Sequence, residues 1–140
     1  MSLPVIVIVL TVLAAVVVLL TRLRMRHGQG AGRAFVGNRL LDLHTGSGAL
    51  ALVVWTAFLI APKDNPVGSA TVGIVGLGLF WIVTIVGLLI LVRWLPSHGK
   101  HASEGVQDSW SDGPGLSVLA HVGMLVGVVV FTFAYLTSAV

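Results

Sequence analysis

The chain has 140 residues, of which 56% are hydrophobic and only 9% charged, with a formal net charge of +3. Soluble domains carry about 25% charged residues, and a fold this small leaves too much of its area exposed to hide so much apolar surface. The composition excludes a soluble globular protein, and lipid is the expected solvent. Mean hydropathy is +1.03. The absence of cysteine excludes disulfides, thiolate metal sites, iron–sulfur clusters and covalent c-type haem attachment.

The first apolar run covers about Leu3 to Thr21, close to the roughly 20 residues that a spanning helix needs. A signal peptide is the competing reading. No charged segment precedes the run, however, and Arg22, Arg24 and Arg26 follow it. Those flanks mark a retained helix with a stop-transfer end. The second span is expected at about Leu41 to Ala61, the third at about Ala70 to Val92, and the fourth at about Leu116 to Ser138. The expected fold class is therefore all-α. It is an integral membrane four-helix bundle, residues 1–140 forming a single transmembrane domain.

The links differ in kind. Residues 22–40 carry Arg22, Arg24, Arg26, Arg33 and Arg39, and residues 93–115 carry Arg93 and Lys100. The turn 62–69 carries only Lys63. The positive-inside rule makes the links 22–40 and 93–115 cytoplasmic, with the turn 62–69 and both termini outside. A bacterial-type plasma membrane fits this pattern. Pro62 and Pro66 mark a tight outer turn, while the longer loop 93–115 is rich in Gly, Ser and acid. Trp94 and Trp110 are expected as interfacial anchors.

The chain reads as one hairpin written twice. Arg22 matches Arg93, His27-Gly28 matches His98-Gly99, and His44-x-Gly46 matches His121-x-Gly123. Ala57-Phe58-Leu59 matches Ala134-Tyr135-Leu136 at the same offset from the histidine. Two hairpins running in the same direction are related by an axis along the membrane normal. That axis sets the second and fourth helices face to face, with matching residues opposed.

All five histidines, His27, His44, His98, His101 and His121, fall toward the arginine-rich side. His44 and His121 lie roughly 5 and 8 Å inside their spans by the helical rise. An ionisable residue within a membrane helix faces the bundle interior by default. Two facing helices that each offer one imidazole supply what a haem iron needs on the two sides of its macrocycle. Gly46 and Gly48 follow His44, and Gly123 and Gly127 follow His121; small residues let a planar group or another helix approach the backbone. Gly73, Gly76, Gly78 and Gly87 suit the third span to close packing behind the site. Arg39 and Arg22 are the expected partners of propionate carboxylates. Asp42 lies two residues from His44, points elsewhere on a helix, and receives no role.

With single histidines on its second and fourth helices, the pattern resembles the membrane b-type cytochromes, such as the cytochrome b561-like and respiratory cytochrome b bundles. The resemblance covers His44-x-Gly46, His121-x-Gly123 and their helices. It implies one haem b with His44 and His121 as axial ligands to the iron. It also implies electron transfer with a quinol or quinone, or with a redox partner subunit. A second histidine pair toward the opposite face, which two-haem members need, is missing.

Two other functions fit the same residues. One is a structural or assembly subunit, in a homo-oligomer or a larger membrane complex, with the histidines serving as interhelical hydrogen-bonding groups. The other is a metal- or pH-responsive membrane protein using the cytoplasmic histidines. His98-x-x-His101 with His27 would then hold a divalent metal at the surface, although the spacing fixes no geometry. No phosphate loop, GxSxG elbow or HExxH helix is present. No acidic residue stands in mid-span to relay protons. The short basic strip beside the first span reads as a contact with anionic lipid and not with nucleic acid.

Overall fold

The computed structural model describes residues 1–26, 38–94 and 114–140, with side chains described for 1–20, 39–40, 42–92 and 118–140. Among these residues the chain is all-helical. Four long helices, α1 (Leu3–Arg26), α2 (Asn38–Ile60), α3 (Ala70–Trp94) and α4 (Pro114–Leu136), are joined in one place by a 3₁₀ turn at Pro66–Gly68. Each is long and apolar enough to cross a membrane. The helices overrun the expected spans at the N-terminal ends of α2 and α4 and at the C-terminal ends of α1 and α3. The run between Val5 and Val18 is rich in valine and isoleucine, which are mediocre helix formers in water. Where no water can satisfy the backbone, a helix is the conformation that satisfies it internally.

The α2–α3 turn is built from its sequence. The Asn65 carboxamide oxygen accepts from the Val67 N–H at 2.9 Å, capping the 3₁₀ turn that begins with Pro66. A Cβ at Gly68 would collide with the Pro62 carbonyl oxygen, so the chain can reverse this tightly only with glycine there. The expected tight turn at 62–69 is thus present, as a capped 3₁₀ element.

The helices pack in a ring, each against the next in sequence, with α4 closing on α1. The backbones of α2 and α4, and those of α1 and α3, lie on diagonals without close approach among the described residues. On one α2–α3 seam, large side chains face glycines. Trp55 lies against Gly76, Phe58 against Gly73, Val83 against Gly48 and His44 against Gly87. In every pair the two residue numbers add to the same value, as an unbroken antiparallel register requires. Lipid tails are as apolar as leucine, so close van der Waals packing of this kind, more than hydrophobic burial, drives helix association in a membrane.

Rings fill the half of the bundle nearer the α2–α3 turn. Trp55 stacks on Phe131 at 5.2 Å between centroids, and Phe58, Phe80 and Tyr135 complete the cluster. Val7, Ala51, Leu77, Val128 and Ala134 are buried around them. The threonine hydroxyls of Thr11, Thr84 and Thr132 each donate to the carbonyl four residues earlier, at 2.7 to 2.8 Å. That is how a hydroxyl is satisfied inside an apolar bundle. Two further bonds tie α3 to α4, Trp81 Nε1 to Thr132 Oγ1 at 3.2 Å and Tyr135 Oη to the Ala70 carbonyl at 2.7 Å.

The seam predicts opposite outcomes at two glycines of α3. A Cβ at Gly76 would stand 3.3 Å from the Trp55 Cα, whereas one at Gly78 meets nothing within 4 Å. Gly76→Leu is expected to cost about 1–3 kcal/mol by overpacking against backbone, and Gly78→Ala to be neutral or to gain up to ~1 kcal/mol from helix propensity. Thermal unfolding of both variants in detergent checks this.

Candidate functional site

His44 and His121 meet at the end of the bundle away from the aromatic cluster. Their ring centroids are 6.0 Å apart and their planes differ by 18°. His44 lies six residues into α2 and His121 seven into α4, which places both about 9–11 Å along their helices from the N-terminal ends. The two side chains bridge a diagonal whose backbones do not approach closely.

What lets them meet is Gly87 of α3. A Cβ there would stand 2.8 Å from His121 Cδ2, 2.9 Å from His44 Cε1 and 3.2 Å from His121 Nε2. Any side chain at 87 would therefore enter the space the imidazoles share. The His44 ring donates a hydrogen bond to the Val83 backbone, one turn earlier on α3. The other polar atom, His44 Nδ1, is buried without a partner. An unsatisfied polar nitrogen inside an apolar bundle costs free energy, and such a group calls for a physical reason.

The remaining expected site residues fall in different places. Gly46 and Gly123 are exposed, and a Cβ on either, or on Gly127, would meet nothing within 4 Å. Close approach comes instead at Gly48, beside Val83, and at Gly87. Arg39 and Asp42 are exposed. Arg22 lies within α1, its side chain outside those described; the same holds for Trp94 in α3. His27, His98, His101 and Trp110 lie outside the described residues, so the surface metal grouping falls there too. Among the described residues no three His, Asp or Glu side chains gather as a metal-binding group. Chemically, each imidazole offers a ring nitrogen of the kind that ligates metals or exchanges a proton.

Sequence reasoning placed Gly87 among four α3 glycines suited to close packing behind the site, and the structure puts it directly against both histidines. The available signal was spacing. Gly73 and Gly87 are separated by 14 residues, as are Phe58 and His44, and Tyr135 and His121. Phe58 and Tyr135 meet over Gly73 with centroids 6.0 Å apart, just as the histidines meet over Gly87.

Direct contact between the rings predicts coupled resonances. Replacing His121 with Phe, or Gly87 with Leu, is expected to shift the ring signals of His44 in a histidine-labelled NMR spectrum. The signals of His27, His98 and His101 should stay in place. An unmoved His44 signal in both variants would contradict the pairing.

No family model, curated protein or solved structure matches the chain.

Proposed function

We propose that the chain is a membrane electron-transfer protein that holds one haem b between His44 and His121. The observation that carries this reading is the histidine pair itself, one imidazole from each diagonal helix, 6.0 Å between centroids and nearly parallel. Imidazole is a common ligand of haem iron, and this pair would supply one from each of two facing helices. The orphaned His44 Nδ1 also fits a ligand at this place.

The protein's own residues would do three things. His44 and His121 hold the group from its two faces. The apolar helices exclude water around it and set a low dielectric, which tunes a redox centre. Arg39, exposed one to two turns before His44 on α2, suits the carboxylates of such a group at the membrane boundary. Haem, when bound, supplies a one-electron couple. The donor and acceptor are then a quinol or a partner subunit, because a site near one end of the bundle does not carry an electron across the bilayer alone.

The repeat reading belongs to this proposal. Two of the ring pairs between α2 and α4, His44 with His121 and Phe58 with Tyr135, join residues related by an offset of 77. A two-fold axis along the membrane normal brings equivalent residues together in this way. The seven basic residues in the links 22–40 and 93–115 against Lys63 in the outer turn support a cytoplasmic histidine end.

A second reading has its own observation. The α3 backbone lies so near the rings at Gly87 that a bare transition-metal ion between two imidazole nitrogens would need less room than a macrocycle.

Oxidised and dithionite-reduced absorption spectra of the purified protein, with metal analysis on the same sample, separate the readings. The haem reading predicts sharp reduced bands that vanish in His44→Ala and in His121→Ala. Colourless protein with stoichiometric copper or zinc would favour the bare ion. Colourless, metal-free protein made with ample haem would leave the subunit reading. For orientation, single cysteines introduced at Asn65 and Gly105 in this cysteine-free chain should be labelled by an impermeant maleimide from opposite sides. Labelling of both from one side contradicts the proposed topology.

A further inference from the structure

Resting on the haem reading, we infer that α1 forms the wall of the site opposite Gly87, with Ala14 and Val18 facing the bound group. The argument begins with room. On the α3 side there is not room even for a Cβ between Gly87 and the rings, and α3 is the most thoroughly packed helix, with Val83, Thr84, Val86, Gly87 and Leu91 all buried. A disc held between the imidazoles must find its space on the other side of the pair. That side belongs to α1, the helix diagonal to α3.

The burial pattern of α1 is what such a wall requires. Its first half is docked. Val7 is fully buried, Thr11 is buried, and Leu3 and Leu10 pack on the aromatic cluster. Further along, the inward stripe continues as Ala14 and Val18, but these are only half-buried, and Val12, Leu13, Val16, Leu19 and Leu20 are exposed. The helix is seated at one end and thinly covered at the other.

Register places that thin stretch beside the histidines. Leu3, Val7 and Leu10 share a cluster with Trp55, Phe58, Ala134 and Tyr135, so α1 runs opposite to α2 and α4. The 11 residues from Trp55 back to His44 carry the level on α1 from Val7 to Val18, and the seven from Ala51 carry it to Ala14, at an equal rise of about 1.5 Å per residue. The level of the imidazoles therefore falls between Ala14 and Val18. A small residue and a β-branched one at this point leave space for a flat ring and contact its edge.

The test uses the full-length protein produced with haem. Ala14→Phe and Val18→Phe fill the proposed wall, and Val16→Phe, on the exposed face, is the control. Haem per protein by pyridine haemochrome is expected to fall at least fivefold in the first two and to stay at the wild-type value in the control. Circular dichroism should show the same helix content in all three. Should a bulky variant lose its fold, Val18→Ala and Ala14→Gly remove bulk instead. Haem transfer from them to excess apomyoglobin is expected to be severalfold faster than from wild type. Wild-type haem content in both Phe variants, or wild-type transfer rates in both small variants, overturns the role of α1 and leaves the histidine pair standing. Wild-type protein that takes up no haem overturns both.

Discussion

The glycines of α3 set the spacing of everything else. At Gly73, Gly76 and Gly87 the helix presents bare backbone where its neighbours present rings: Phe58 and Tyr135 over Gly73, Trp55 over Gly76, His44 and His121 over Gly87. Helix association in lipid depends on close contact, because transfer of apolar surface from one hydrocarbon to another gains little. A glycine under a large ring maximises that contact and lets side chains from opposite corners of the bundle reach each other across α3. Remove the glycine at 87 and the histidines must separate; remove the one at 73 and the aromatic end must open.

The same device gives two unlike ends. Near the α2–α3 turn, rings in mutual contact and the hydrogen bond from Tyr135 to Ala70 make a dry, filled core. At the other end the corresponding positions carry imidazoles, one of whose nitrogens is buried with no partner. The bundle satisfies its threonine hydroxyls on its own carbonyls and leaves two buried side-chain nitrogens without a partner among the described residues, Trp55 Nε1 within the aromatic cluster and His44 Nδ1 at the histidine pair. Of the two, only the imidazole is an ionisable, metal-ligating group, which is the basis for proposing function at the histidine pair and for proposing α1 as its open wall.

Much of this was legible in the sequence because the membrane imposes a strong rule. Four apolar runs of the right length could form only helices, and the four helices appear where the runs lie. Interior placement of ionisable residues led from two histidines at similar depth to a facing pair. The close packing of the α3 glycines was legible, but which glycine lies against the histidines was not. Gly46 and Gly123 sit two residues from the histidines in sequence, yet two residues is more than half a turn, and both look away from the bundle. Gly87 is remote in sequence and adjacent in space, and only the antiparallel register of α2 and α3 reveals it. The thin packing of α1 was hidden for a related reason: a uniformly apolar helix does not disclose which face is covered by protein and which by lipid.

The central claim is that two imidazoles together hold one iron. Electron paramagnetic resonance of the frozen, oxidised protein tests it most directly, because the spin state of ferric haem reports its axial ligands. Two strong nitrogen ligands with planes only 18° apart predict a low-spin rhombic signal in the wild type, replaced by a high-spin signal or none in His44→Ala and in His121→Ala. A wild-type sample containing haem but high-spin, or a low-spin signal that survives loss of either histidine, would contradict the account.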